Sequence, residues 1–205
     1  CAYWFLRQPK KGIECLERSV EFFEKTEHVL NSVIAYNNLG INLMLIGEWQ
    51  RAERMIRRSL ELALPTKHAH IAGILDSLGE LNILRGEYEA AERNLSEAVS
   101  IARRQGRLWY EVQALRNLAR LFLAKGEPGR AEEIARETIE KCREIGDKHY
   151  ANMSGLVLAE SLLGQERRAE CENYLEIVEE SNPVSDYFVL GNIQRIRGLA
   201  AAAAG

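Results

Sequence analysis

The chain of 205 residues carries 27 lysines and arginines against 30 aspartates and glutamates, and 46% of its residues are hydrophobic. This apolar share, together with a content of only four prolines, excludes a long disordered chain. The net charge of −3 leaves no basic surplus, so the composition argues against direct binding to nucleic acid phosphates.

The four cysteines are too sparse for a small disulfide scaffold, and none forms a C-x-x-C pair. We therefore expect Cys1, Cys15, Cys142 and Cys171 to be free thiols of a cytoplasmic protein. No apolar run reaches the roughly 20 residues of a spanning helix, so no membrane association is expected. Because the chain starts at Cys1 and has partial repeats at both ends, we expect it to be a fragment of a larger protein.

The spacing of apolar residues predicts a succession of helices from the N-terminus onward. The first segment contains the end of one helix, a break at Pro9 and a second helix that is expected to bury Cys15, Ser19, Phe22 and Phe23. The helices expected after it are Val29–Ile46, Trp49–Leu62, two helices within Ile71–Ala102 separated at Gly86, Leu108–Lys125, Pro128 to Gly146, His149–Leu163, Glu166–Glu179 and Val184–Ala204.

One repeat unit recurs through these helices. The small residues expected where two helices cross are spaced by 37 to 40 residues, at Cys15, Ala52, Ala91, Ala131 and Ala169. A glycine that predicts a tight turn lies five residues before four of them, at Gly47, Gly86, Gly126 and Gly164. The expected organisation is a single array with a partial repeat over 1–27, repeats over about 28–66, 67–106, 107–146 and 147–182, and a terminal helix over 183–205.

The sequence contains no motif of a catalytic or cofactor site. The only close histidine pair, His68 and His70, has no cysteine or third histidine at a metal-ligand spacing. A nucleophile elbow, a phosphate-binding P-loop and a dinucleotide fingerprint are all absent. We therefore expect a protein that is not an enzyme and that needs no cofactor and no metal.

The recurring unit resembles the tetratricopeptide repeat (TPR), whose pattern is W-x2-L-G-x2-Y followed by A-x3-F, A and P. The crossing alanines match the small position of the second helix, and a Leu-Gly pair or its equivalent occurs in the first helices at Leu39-Gly40, Leu78-Gly79, Leu118-Ala119 and Leu156-Val157. The family period is 34 residues, so each unit here is longer by about one helical turn. Such long units resemble those of bacterial signalling proteins of the Rap type and of LuxR-type transcriptional activators.

The resemblance implies an all-α fold, a right-handed superhelix of about five helix-turn-helix repeats plus a terminal helix, with a groove lined by the first helices. In the family, four positions of each first helix face this groove. The polar residues that occupy those positions here are Asn37, Asn38, Asp76, Ser77, Glu80, Gln113, Arg116, Asn117, Arg120 and Ser154.

Two interpretations of these groove residues stay open. The amides of Asn38 and Asn117 can bond both the N–H and the C=O of an extended peptide, but an asparagine on a solvated helix face needs no ligand. Arg116 and Arg120 can hold a carboxylate of a partner. The same two arginines can instead pair with the acids at the matching positions of the preceding repeat, Asp76 and Glu80.

The resemblance therefore implies a scaffold that binds a protein or peptide partner, or adjacent domains of its parent protein, which we expect to be a bacterial signalling or transcriptional regulator. The alternative is a structural spacer or a self-association element that forms a homodimer through the ends of the array. Unpaired polar groups in the groove would favour the scaffold, whereas arginines satisfied internally would favour the spacer.

Overall fold

The computed structural model describes residues 9–182 and 186–203, and the expectations for Cys1 and for the helix start at Val184 lie outside them. In these two ranges the chain forms helices joined by short turns and no strand. The helices are α1 (Pro9–Lys25), α2 (Val29–Leu45), α3 (Trp49–Ala63), α4 (Ile71–Leu84), α5 (Tyr88–Arg104), α6 (Leu108–Ala124), α7 (Pro128–Ile145), α8 (Lys148–Gly164), α9 (Arg168–Ser181) and α10 (Tyr187–Ala202). None of these helices is long and apolar enough to cross a membrane.

The chain divides into two compact units, Cys1–Gln105 and Gly106–Gly205. In the first unit α2 pairs with α3 and α4 pairs with α5, while α1 packs on α2 and α3 packs on α4. In the second unit α6 pairs with α7 and α8 pairs with α9, and α10 packs on α8 and α9. Each unit is thus an all-α stack of antiparallel helix pairs, as the repeat pattern predicts.

Left-handed backbone at the turns between paired helices explains where the second helices begin. Gly47, Gly86 and Gly126 have φ of 82°, 74° and 75°, a conformation that glycine adopts without steric cost. The corresponding turn of the last full pair uses Glu166, with φ of 62°, rather than the predicted Gly164, which is the last residue of α8. A turn position in the fifth repeat therefore lacks its glycine.

The structure corrects the repeat alignment at both ends. Cys15 is exposed, and Phe22 is 59% exposed, whereas Gly12 is buried on α1. Ala169 is also exposed, and its expected place in the core is taken by Cys171. The buried small residues are therefore Gly12, Ala52, Ala91, Ala131 and Cys171, which are 39 or 40 residues apart.

The first helices of the second unit require the same correction. Leu158 and Ala159 are both buried on α8 and follow Leu118-Ala119 by 40 residues. They, and not the predicted Leu156-Val157, occupy the place of the Leu-Gly pair in the fifth repeat. The shift of two residues moves every predicted groove position on α8.

Close contact between the two helices of a repeat explains the glycines of the Leu-Gly pairs. A Cβ atom added to Gly79 would lie 2.5 Å from Leu95 Cγ, and one added to Gly40 would lie 2.4 Å from Ile56 Cγ1. Ile56 and Leu95 each follow the crossing alanine by four residues and are completely buried. The fourth repeat carries Ala119 and Ala135 at the two corresponding positions. The glycine thus makes room for a large partner side chain.

In two repeats, an acidic residue next to the crossing alanine forms a link to the turn of the next repeat. Glu53 of α3 forms an ion pair of 2.5 Å with Arg85, which follows α4. Glu132 of α7 forms an ion pair of 2.6 Å with Arg167 and accepts a hydrogen bond of 2.8 Å from Gln165, both of which follow α8. Each link joins a second helix to the loop of the following helix pair within the same unit.

We predict that replacing Gly79 by alanine destabilises the protein by about 1 to 3 kcal/mol, because the added methyl overpacks Leu95. The substitution should become neutral or stabilising in a Leu95→Ala background, since the clash is removed and alanine favours the helix by about 1 kcal/mol. Urea unfolding of the two single variants and the double variant measures this coupling. Gly129→Ala, where a Cβ meets nothing within 4 Å, is the control. Equal losses in both backgrounds would contradict the contact.

We also predict that Glu132→Gln lowers the free energy of unfolding by about 1 to 3 kcal/mol at pH 7. Burial raises the pKa of Glu132, but the hydrogen bonds from Gln165 and Arg136 and the charges of Arg136 and Arg167 outweigh burial and lower it. Because the pKa of Glu132 is lower in the folded state, its carboxylate stabilises the fold fully at pH values above the unfolded pKa of about 4.3. This stabilisation is lost as the pH falls through the folded-state pKa.

Urea unfolding at pH 7 and at pH 3 tests this prediction. The difference between wild type and Glu132→Gln should narrow at the lower pH, and the exposed neighbour Glu133 provides Glu133→Gln as the matched control. A loss of unfolding free energy that is the same at pH 7 and at pH 3 would show that the carboxylate charge of Glu132 does not stabilise the folded protein.

Candidate functional site

The predicted groove residues of the first unit lie on α2 and α4. Asn38 is exposed, whereas Asn37 is half-buried and its Oδ1 atom is buried without a hydrogen-bond partner among the described residues. On α4, Asp76 and Ser77 are buried and Glu80 is half-buried. The Ser77 hydroxyl donates a 3.0 Å hydrogen bond to the carbonyl oxygen of Gly73 one turn earlier, so this serine is satisfied by its own helix.

Four predicted groove residues of the second unit lie on one stripe of α6, namely Gln113, Arg116, Asn117 and Arg120. Asn117 is completely buried. Its Oδ1 atom accepts hydrogen bonds of 3.0 Å from Arg116 Nη2 and 2.9 Å from Arg120 Nη1. The buried amide therefore fixes both guanidinium groups, one turn apart, on the same face of the helix. We call these four residues the α6 polar stripe.

Two nitrogen atoms of the α6 polar stripe have no hydrogen-bond partner in the part of the chain that the structure describes. Gln113 Nε2 and Arg116 Nε are buried and make no hydrogen bond with the residues that the structure describes. Buried donors are nearly always satisfied in folded proteins, and leaving one unpaired costs about 1 to 3 kcal/mol. Unpaired donors beside a fixed guanidinium group are therefore what a site for an oxygen-bearing ligand needs.

Aromatic residues at the start of α6 and α8 border the stripe. The guanidinium carbon of Arg116 lies 5.6 Å from the ring centroid of Tyr150, within the range of a cation–π contact. Trp109 meets Tyr150 edge to face at 6.1 Å and is 49% exposed, so it offers an apolar surface next to the polar stripe. At the other side of Tyr150, His149 Nδ1 lies 3.6 Å from a carboxylate oxygen of Asp186.

The structure places Ser154 in the core. It is completely buried on α8, and its Oγ atom has no hydrogen-bond partner among the described residues. With the corrected register, Ser154 is equivalent to Ala114, which is also completely buried. The groove positions of α8 are then Met153, Leu156, Val157 and Glu160.

Glu160 was not expected at the site, although the 40-residue spacing from Arg120 gives its position. Its carboxylate forms an ion pair with Arg195 of α10. The second unit therefore presents two arginines on α6 and an acid paired with an arginine on α8 and α10.

No cluster of metal ligands accompanies these groups. In the described ranges, 9–182 and 186–203, no three or more histidine, cysteine, aspartate or glutamate residues are arranged to hold an ion. The histidine pair makes a local contact instead, since His68 Nδ1 accepts a 3.1 Å hydrogen bond from the backbone N–H of His70.

Paired helices that repeat every 39 or 40 residues define a helical-repeat scaffold, a class whose function is typically non-catalytic binding of other proteins. The chain belongs to the tetratricopeptide-repeat family. Two sequence profiles described as tetratricopeptide repeat match residues 33–63 and 70–144, which together are just over half of the chain. No curated protein matches the sequence.

Solved structures with the same fold cover nearly the whole chain. The nearly identical TPR-like repeats of a putative kinesin light chain from Podosopora anserina align with a TM-score of 0.65 and 19% identity over 90% of this chain and 92% of that one. BtubC (BKLC) from P. vanneervenii aligns with a TM-score of 0.71 and 19% identity over 96% and 92%. Rap protein complexed with competence and sporulation factor aligns with a TM-score of 0.69 and 21% identity over 98% and 62%.

We predict that Asn117→Ala destabilises the protein by about 1 to 2 kcal/mol, because a buried acceptor of two arginine hydrogen bonds is lost. Asn38→Ala is the matched control, since Asn38 occupies the same repeat position on α2 but is exposed. That control should be neutral or slightly stabilising, because alanine is the better helix former. Thermal and urea unfolding measure both changes, and equal effects would contradict a positioning role for Asn117.

Proposed function

We propose that this chain is a scaffold whose α6 polar stripe binds a carboxylate-bearing segment of a protein or peptide partner. The observation that carries the proposal is the pair of buried donors, Gln113 Nε2 and Arg116 Nε, without hydrogen-bond partners among the described residues. Carboxylate oxygens satisfy such donors and are the preferred ligands of guanidinium groups. In this proposal the partner replaces the missing acceptors.

The neighbours of the stripe support a peptide rather than an isolated ion. Trp109 and Tyr150 supply apolar area next to Arg116, and aromatic residues and arginines dominate the binding energy of protein interfaces. The buried Asn117 holds two arginines before the partner arrives, which lowers the entropic cost of binding. The proposed ligand is therefore an extended segment with an acidic residue beside an apolar one.

We further propose that the chain is the interaction region of a cytoplasmic bacterial signalling or transcriptional regulator. The likeness of its fold to Rap protein, which was solved in complex with competence and sporulation factor, supports this context. Asn37, Asn38, Asp76, Ser77 and Glu80 of the first unit are proposed as additional contacts of the partner or of an adjacent domain. Pairing of Asp76 and Glu80 with the arginines is the competing proposal, in which the array serves as a spacer.

Panning of a random dodecapeptide library against the purified chain tests the site. Selected peptides should be enriched in aspartate and glutamate next to an apolar residue. Their affinity, measured by calorimetry, should fall at least tenfold in the Arg116→Ala/Arg120→Ala variant and should weaken as the salt concentration rises. Circular dichroism should show helicity nearly unchanged, because both side chains are only half-buried.

Arg93→Ala/Arg104→Ala removes the same charge from exposed positions of α5 and is the matched control. This control should leave the affinity within about twofold, since surface charge alone adds little to a contact site. Peptides that bind wild type and Arg116→Ala/Arg120→Ala equally well would refute the proposed site. A selection without acidic enrichment would refute the proposed ligand chemistry.

A further inference from the structure

A cavity of about 180 Å³ lies among α7, α8 and α9 of the second unit. It is separate from the α6 polar stripe, because α6 contributes none of its lining. One helical stripe of α8 forms its floor, and the facing sides of α7 and α9 form its walls. The lining includes Ile139, Arg143, Lys148, Ala151, Gly155 and Val178.

A glycine interrupts the repeat pattern on the floor of the cavity. Gly155 follows Leu115 by 40 residues, and the same position is held by Leu75 and Tyr36 in the earlier repeats. These three large side chains are buried, whereas glycine has no side chain at this position. A Cβ atom added to Gly155 would lie 2.6 Å from Val178 Cγ2, so Val178, which replaces the smaller Ser59, Ala98 and Thr138 of the earlier repeats, packs directly on this glycine beside the cavity.

The walls are apolar and the rim is cationic. Ile139 and Val178 are buried, and the polar lining atoms of Asn152 and Ser181 bond to each other, with Ser181 Oγ donating to Asn152 Oδ1 at 2.6 Å. At the rim, Arg143 pairs with Glu140, but both side chains are more than 60% exposed, and such a pair exchanges readily. Lys148 is exposed and forms no ion pair in the described part of the chain.

The size and the charge of the cavity together identify its ligand. An apolar cavity of about 150 Å³ is large enough to hold benzene, so the present one accepts about five to seven carbon atoms. Two cations at the rim favour an anion at the open end, and an arginine prefers a carboxylate.

We propose that this cavity binds a small carboxylate with an apolar body of about five to seven carbon atoms. The apolar body contacts Ile139, Gly155 and Val178, and the carboxylate lies between Arg143 and Lys148. A free short-chain acid and the C-terminal leucine of a peptide share this chemistry. The site is independent of the partner proposed for the α6 polar stripe.

Methyl NMR of the full chain, titrated with hexanoate, tests the proposal. The methyl signals of Ile139, Ile177 and Val178 should shift and saturate, and hexanamide, the neutral isostere, should bind at least tenfold more weakly. N-acetylleucine is the second probe and represents a peptide C-terminus. Tighter binding of N-acetylleucine supports the peptide source, and tighter binding of hexanoate supports a free acid. Ligands of this size bind weakly, so the titrations extend to about 20 mM. The absence of a saturable shift with either probe, or an equal affinity for hexanoate and hexanamide, would overturn the proposal.

Two variants with matched controls localise the binding. Ala151→Leu fills the cavity and should abolish the shifts, whereas Ala169→Leu makes the same change at an exposed position of α9 and should not. Lys148→Gln should weaken hexanoate binding several-fold without altering the fold. Lys10→Gln, at an exposed position of α1, should leave hexanoate binding unchanged. A hexanoate affinity that is unchanged in both Ala151→Leu and Lys148→Gln would place the ligand elsewhere and refute the cavity.

Discussion

The close approach of two helices at a small residue is the constraint on which each repeat depends. The crossing residues Ala52, Ala91 and Ala131 are completely buried, and no side chain larger than a methyl group separates the helices there. The opposite glycines, Gly40 and Gly79, admit the large side chains that follow one turn later. This geometry fixes the rotation of each first helix about its own axis, and so decides which residues face the core and which face solvent.

The candidate site is a consequence of that rotation. Because α6 is held by its own crossing residues, Arg116 and Arg120 emerge on one face, and Asn117 turns inward, where its amide oxygen bonds to both. The same rotation on α8 directs Ser154 into the core and Glu160 toward Arg195. Gly155 breaks the pattern at one packing position, where Val178 packs on it and a cavity lies beside both residues.

Much of the fold could be predicted from the sequence, since apolar periodicity and turn glycines are local signals. The helix predicted for Leu108–Lys125 is observed at Leu108–Ala124, and the tetratricopeptide-repeat family is confirmed. The register failed where a local signal was replaced. Glu166 adopts a left-handed turn conformation that normally requires glycine. Because Gly164 lies two residues earlier, the turn-glycine pattern predicts Ala169, and not Cys171, as the crossing residue. At the other end of the array the predicted crossing residue, Cys15, is wrong, although Pro9 precedes Gly12 by the same three residues that separate Pro128 from Ala131. The unpaired donors of Gln113 and Arg116 depend on contacts between side chains, so no sequence pattern could reveal them. Pairing of Asp76 and Glu80 with Arg116 and Arg120 stays a prediction.

Arg116 Nε has no acceptor among the described residues, and in the proposed complex a carboxylate of the partner supplies one. The most direct measurement is the ¹H–¹⁵N NMR signal of the arginine Nε–H groups, assigned by Arg116→Lys, during titration with an acidic peptide selected from the library. The Arg116 signal should move downfield and saturate with the binding curve, while those of exposed arginines such as Arg93 and Arg104 stay in place. A peptide that binds while the Arg116 signal remains unchanged would contradict the account.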